Sequence, residues 1–274
     1  MPMSPRLLRP RVRSAAFTPA SISGLYLWLD ASNSSSVTLN GGNVSQWNDL
    51  SGGGRHFAQA NAGGQPAYTL AGQNGKNCLT FTGAQWMVSS LPSSNWEFFH
   101  DGTFLYDIFW VWKAQAGSAT LRTLLATGSS SRNIRSMYLW HDFRAGKSEL
   151  AAEVTAVSAV AEQQSIGFRF VLNQSADVIR IGRLSGDLNN ATPASRITLV
   201  SGSTTAVAFG NWSGTPSAGA PSMNMTIGSL ATGSASFGFA GVLCEILIYR
   251  AAASMSASSR SAIAGYLAAK WGAA

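Results

Sequence analysis

Gly241-Val242-Leu243-Cys244-Glu245-Ile246-Leu247-Ile248-Tyr249 is an apolar run between a glycine and Arg250, rich in branched residues, with Glu245 as its only charge. Its length and composition fit a strand buried on both faces. A small-residue turn follows, and Ser254-Met255-Ser256 offers N-caps, since a serine hydroxyl accepts from the orphan N–H groups of a first helical turn. Ile263, Leu267 and Trp271 then recur at i, i+4 and i+8, one stripe of an α-helix. Lys270 falls in the last turn and Gly272 just beyond it, where the helix dipole and a left-handed cap favour them. A central strand so near the end of the chain must find its neighbours among earlier segments. The fold is therefore closed by its C-terminus.

Earlier segments read as many strands joined by turns. Leu25, Leu27 and Leu29 alternate with Tyr26, Trp28 and Asp30, the period of a strand with both faces in use. Val44 to Leu50 follows the first loop without an assigned element; Asn77 to Phe81 is a second strand, ended by Gly83, and Trp86 to Ser90 is a further strand. Residues 31–43 read as a loop ending in the turn Asn40-Gly41-Gly42. Thr103 to Lys113 places Phe104, Tyr106, Ile108, Trp110 and Trp112 on one face, with Leu105, Asp107, Phe109 and Val111 on the other. Arg122–Ala126, Met137–Trp140, Gly167–Leu172, Val178–Leu184, Ile197–Val200 and Met223–Ile227 are further candidates, at spacings typical of a sandwich. Glu149 to Gln164 reads as a strand with an adjoining loop, and residues 202–222 as a long surface loop. A charged fraction of only 11% and 28 glycines agree with a turn-rich β protein. No repeat or heptad is present, which excludes an elongated shaft built on such periodicities.

The net charge of +7 is concentrated at the N-terminus. Arg6, Arg9, Arg11 and Arg13 lie in the first 13 positions, and +7 less these four leaves +3 for the rest. Residues 1–20 therefore read as a basic docking arm, and 21–274 as one globular domain. Such an arm suits an acidic surface. Arginine outnumbers lysine 15 to 4, and its planar fork suits interface ion pairs. No apolar stretch follows the arginines, so the arm does not read as a secretory signal, and no segment has the apolar length of a membrane-spanning helix. Cys78 and Cys244 form no metal-ligand pair; each sits in a strand-like run and reads as a buried thiol. A bridge between them requires neighbouring strands and an oxidising compartment.

The two ends of the body together resemble a known pattern. "GLYLWLDASNSSSVTLNGGNVSQWNDLSGGGRHF" (24–57) is similar to the opening of the concanavalin A-like lectin/glucanase superfamily in its laminin-G-like form. "NCLTFTG" (77–83) resembles the next strand of that family, and "FAGVLCEILIYRAAASMSASSRSAIAGYLAAKWG" (239–272) its closing strand and C-terminal helix. The resemblance implies an all-β fold: a two-sheet antiparallel jelly-roll sandwich with a short C-terminal helix. A basic, proline-containing leader followed by one such module also resembles the layout of bacteriophage virion proteins. That layout implies a capsid decoration or tail-associated protein, made in a host cytoplasm and oligomeric on the particle, with capsid or tail subunits as partners.

A jelly roll hosts lectins, glycosidases and structural modules, so function must come from the site. Glucanases of the resembled superfamily carry carboxylates in a Glu-x-Asp-x-x-Glu arrangement, which this sequence lacks. Retaining hydrolysis needs two carboxyl groups about 5 Å apart. Glu97, Asp101 and Asp107 form one acidic cluster, and Glu149 with Glu153 another. The reading is non-enzymatic, with a glucanase-type hydrolase as an alternative. His56, His100 and His141 are scattered and form no triad or ligand set. Laminin-G-like modules can bind calcium, and Asp30, Asp49 and Asp142 are the candidate ligands; the competing role is Asp side chains bonding loop amides. No other cofactor is implied. A glycan-binding role needs exposed aromatics beside polar groups. Trp47, Trp86, Trp96, Trp140 and Trp212 lie near turn-like sequence and are the candidate platforms, against a core role for each. Cell-surface polysaccharide is then the partner of a lectin for host adsorption. Nucleic acid ranks last, because neither a recognition helix nor a single-strand stacking platform accompanies the arm.

Overall fold

A computed structural model describes residues 17–116, 121–128, 135–143, 148–156, 164–168, 176–205, 216–230 and 237–273. The strands are β1 (Leu25–Asp30), β2 (Val37–Asn40), β3 (Asn43–Trp47), β4 (Phe57–Ala58), β5 (Ala67–Gln73), β6 (Lys76–Thr82) and β7 (Met87–Ser89). A 3-10 segment, Ser93–Phe99, leads to β8 (Leu105–Ala114), β9 (Leu121–Ala126), β10 (Ser136–Asp142), β11 (Glu149–Ala156) and β12 (Gln164–Phe168). The chain continues through β13 (Arg180–Gly186), β14 (Ile197–Ser201), β15 (Thr204–Thr205), β16 (Thr226–Ile227) and β17 (Ala240–Ala251) to helix α1 (Ala257–Trp271).

These strands form an all-β, two-sheet antiparallel jelly-roll sandwich with a short C-terminal helix. One sheet runs β15-β14-β13-β8-β17, and the far edge of β17 is shared by β1 and β6, with β5 outside β6. The other runs β12-β11-β10-β9-β16-β7-β4-β3-β2. Among the described residues, the pair Asn43 with Ala67 joins them at a corner, and an isolated parallel bridge links Thr123 of β9 to Gly238, just before β17. As its composition required, β17 is central, flanked by β8 along its length.

The predicted alternation of β8 holds on both faces. Tyr106, Ile108, Trp110 and Trp112 enter the core between the sheets, with Leu27, Leu29, Leu243, Ile246 and Ile248 beside them and Met137, Leu139 and Val154 opposite. Phe109 and Val111 point outward to α1, whose Ile263, Leu267 and Trp271 are fully buried against Cys78, Cys244, Leu247 and Tyr249. Burying that stripe contributes about 1.5–3 kcal/mol per side chain. Ser256 caps the helix by accepting from the Ser259 amide at 3.0 Å, and Gly272 closes it with φ of 62°.

Two local devices adjust the strand periodicity. The register of β17 against β8 slips between Leu243 and Glu245. This bulge turns both Cys244 and Glu245 toward the helix, where strict alternation would have sent Glu245 into the core between the sheets. In β13, a Cβ on Gly182 would lie 2.2 Å from the Trp110 ring, and one on Gly186 2.2 Å from Tyr106. These glycines leave room for the two rings lying across the strand.

The loop expected over 31–43 contains β2, and β4, β5 and β15 were not anticipated. In β2, three of four residues are exposed, and Leu70 of β5 is 72% exposed, so neither strand shows the apolar alternation by which strands are read. The four arm arginines and Trp212 lie outside the described residues.

Candidate functional site

β8 carries one acidic residue, Asp107, on its helix-facing side. Across the sheet it pairs with Ser185 of β13 on one flank and Tyr249 of β17 on the other. The Ser185 hydroxyl donates to its Oδ1. Arg260 lies in the early part of α1 and grips the carboxylate edge-on, with Nε 3.0 Å from Oδ1 and Nη2 3.2 Å from Oδ2. Arg183, two residues before Ser185 and so on the same face, places Nη1 3.7 Å from Oδ1. Burial, then the neighbouring Arg260, lowers the Arg183 pKa, while Asp107 opposes the shift.

Three clefts surround this cluster, neighbouring ones sharing lining residues. One, of about 260 Å³, is lined by Asp107, Arg183, Ser185, Asn190, Thr198 and Ser254. A second, of about 350 Å³, shares Leu105, Asp107 and Ser254 with the first and adds Met255 and Ser256. The third, of about 340 Å³, continues past Arg183 and Arg260 over Ile181 and Val200. Together they form a groove along the N-terminal part of α1, offering guanidinium and hydroxyl donors beside apolar Leu105 and Met255.

The far end of α1 holds a second polar cluster. Glu245 is fully buried and accepts from Trp28 Nε1 (2.8 Å), Tyr266 OH (2.9 Å), Lys270 Nζ (2.8 Å) and Trp271 Nε1 (2.7 Å). Lys270 also donates to Asp30 Oδ2 at 2.6 Å. Burial, then Asp30, raises the Glu245 pKa, while Lys270 and the Trp271 indole oppose the shift.

Of the two roles weighed for Asp30 and Asp49, the packing shows the loop-bonding one. Asp30 accepts from Lys270 and from the amide and hydroxyl of Ser32. Asp49 accepts from the amides of Trp28, Ser51 and Arg55 and from the Ser51 hydroxyl. Both carboxylates organise loops through internal donors. Asp142 is buried in β10, opposite Glu149. Among the described residues, no group of three or more His, Cys, Asp or Glu side chains is placed to hold a metal ion.

Two of the tryptophan candidates are corrected. Trp47 and Trp96 are fully buried in the main core, Trp96 stacked on Phe99 at 6.3 Å, so neither indole has a face to offer a sugar. Trp86 is half-buried and lies over Gly64, while Trp140 is half-buried beside Tyr138, with ring centroids 5.6 Å apart. Trp140 lies on the outer face of its sheet with Asp142, Glu149 and Glu153. Four residues along a strand place Glu149 and Glu153 about 13 Å apart, beyond either geometry of two-carboxylate hydrolysis. Each histidine has one ring nitrogen in a hydrogen bond: His56 Nδ1 accepts from the Asp49 amide, His100 Nδ1 donates to the Ser217 carbonyl, and His141 Nε2 pairs with the Ser148 hydroxyl, each at 3.0 Å.

No protein-family model matches the chain, and no curated protein matches it. Among solved structures, the binding domain of Paraclostridial Mosquitocidal Protein 1 is similar at a TM-score of 0.53 and 11% identity, over 87% of this chain and 51% of that one. Trypanosoma rangeli sialidase in complex with the inhibitor DANA is similar at 0.53 and 12%, over 88% of this chain and 33% of the sialidase. The CBM40 of Ruminococcus gnavus IT-sialidase reaches a TM-score of 0.41 at 13% identity, over 59% of this chain and 83% of that one, too low to carry an argument. The chain thus spans half the length of the toxin domain and a third of the sialidase. At these identities the likeness establishes the fold.

Proposed function

We propose that this chain is a non-catalytic carbohydrate-binding module that holds an oligosaccharide in the groove beside the N-terminal part of α1. The observation that carries this reading is the convergence of Arg183, Arg260, Ser185, Thr198, Ser254 and Asn190 around neighbouring clefts of 260 to 350 Å³. A few convergent polar groups beside apolar surface are what a saccharide site requires. Asp107 is held by Arg260 and Ser185, an arrangement that orients donors rather than freeing a nucleophile. The similarity in fold to a toxin's binding domain is consistent with a binding role. A glycan array with and without EDTA, beside hydrolysis of laminarin-type polymers, tests the reading. Saturable, EDTA-insensitive binding without turnover is expected; turnover would restore the glucanase alternative.

The virion reading is a second proposal, supported by the concentration of Arg6, Arg9, Arg11 and Arg13 at one end of the chain. In it, the arm docks the jelly roll on acidic capsid or tail subunits of a bacteriophage, leaving the groove to face host polysaccharide. A chain beginning at Phe17 keeps the Phe17–Tyr266 ring contact and the Tyr249 hydrogen bond to the Pro19 carbonyl. That truncated chain should stay folded and lose particle association; normal incorporation would end the proposal.

A further inference from the structure

We propose that the space between Arg183 and Arg260 is an anion subsite that takes the carboxylate or sulfate of an acidic saccharide. The inference rests on the carbohydrate-binding reading and assigns that groove its ligand class. Its basis is a mismatch in pairing: two guanidinium groups face one carboxylate. Arg260 uses Nε and Nη2 on the two oxygens of Asp107, and Ser185 takes a further position on Oδ1. The Arg183 guanidinium is left with an ionic contact at 3.7 Å, beyond hydrogen-bond length, and makes no side-chain hydrogen bond among the described residues. The Arg183 side chain is 21% exposed, so its open N–H donors can be reached from the cleft.

The other charges in the cleft do not fill that role. Asp187, just past the end of β13, accepts from Asn190 Nδ2 at 3.0 Å, and Arg196, outside the cleft lining, donates through Nε to the Asn190 carbonyl. A guanidinium with open N–H donors, held beside a second cation, recognises a planar carboxylate or a sulfate through two parallel hydrogen bonds. A neutral sugar would leave the pair of cations sharing one anion. Ser195, Thr198 and Ser254 line the same cleft and offer hydroxyls to the remaining sugar oxygens. The adjoining cleft over Leu105 and Met255 gives room for the next residue of the chain.

The test is calorimetric titration of the full-length protein with tri-galacturonate, a heparin-derived sulfated tetrasaccharide, neutral maltotetraose and inorganic sulfate. Arg183→Gln and Arg183→Lys are compared with the parent protein after their melting temperatures are matched. The acidic oligosaccharides should outbind maltotetraose, and Arg183→Gln should weaken them by about tenfold or more. Arg183→Lys, which keeps the charge and loses the fork, should fall between. Equal affinity for neutral and acidic sugars, unchanged by Arg183→Gln, would overturn the subsite and leave the carbohydrate reading standing. Binding of sulfate alone as tightly as the sulfated sugar would overturn the saccharide half. Binding by none of the four would overturn both.

Discussion

Replacing Lys270 with methionine removes the only cation in contact with Glu245 among the described residues while keeping a side chain of similar length. The ammonium donates to Asp30, Glu245 and Tyr266 at 2.6, 2.8 and 2.9 Å. Without it, a fully buried carboxylate and a 5% exposed one face each other with no counter-charge. Removing one partner of a buried pair costs about 3–5 kcal/mol. The lysine side chain is 12% exposed, and partial hydration of the site places the expected loss near the lower end, about 3 kcal/mol. For a chain of this size that corresponds to a fall in Tm of about 6–12 °C. The loss should also depend on pH with a definite sign. Burial and Asp30 already raise Glu245, and the Lys270 ammonium opposes that rise, so the variant raises it further. A carboxyl raised in the native state stabilises below the unfolded value, near 4.3, and loses that contribution as pH rises through the native one. The deficit should therefore be largest near neutral pH and shrink on acidification toward about pH 5. Urea unfolding followed by tryptophan fluorescence at both pH values reads it directly. A deficit below about 1 kcal/mol, or one identical at the two pH values, would refute the account of Glu245 as a charge dependent on Lys270.

Three further outcomes follow from the packing. Gly182→Ala should lower stability by about 1–3 kcal/mol, because its Cβ would lie 2.2 Å from Trp110, whereas Gly265→Ala, mid-helix with nothing within 4 Å, should raise it by about 0.5–1 kcal/mol; paired thermal melts check both signs. Cys78 and Cys244 are fully buried with Sγ atoms 3.1 Å apart on neighbouring strands, so a thiol reagent should label neither in the native protein and both under denaturing, reducing conditions. His100 and His141 are each pulled down to about 4, chiefly by burial. The unfolded chain therefore binds protons the native one refuses, and stability should fall as pH drops from about 6.5 toward 4. His100→Gln should flatten that fall in a pH series of melting curves.

What the sequence revealed and what it hid divide along a physical line. The closing strand, the helix stripe of Ile263, Leu267 and Trp271, and the two faces of β8 were all legible, because each is a periodic apolar pattern contained in one segment. β2 and β5 were not, because they are outlying strands whose residues meet solvent and carry no alternation. The aromatic candidates divided for a related reason. Proximity to turn-like sequence does not report depth: Trp47 ends β3, and Trp96 lies in a 3-10 segment, yet both are fully buried.

The groove was illegible for a different reason, which concerns how charge is used on this face. Asp107 sits among Tyr106, Ile108, Phe109 and Trp110, and within its own segment it reads as an isolated acid grouped with Glu97 and Asp101. Its real partners come from β13 and α1, the latter 153 positions away in the chain. Only the stacking of β13, β8 and β17 under the helix brings them together. The same helix holds Glu245 at its other end, where a lysine and two indoles saturate the carboxylate. One end of α1 thus has its buried anion matched by neutralising and hydrogen-bonding groups, and the other has a second guanidinium left over. Both clusters tie α1 to the sheet, and only the open one leaves a guanidinium, that of Arg183, without a hydrogen bond, which is the group the proposed subsite rests on.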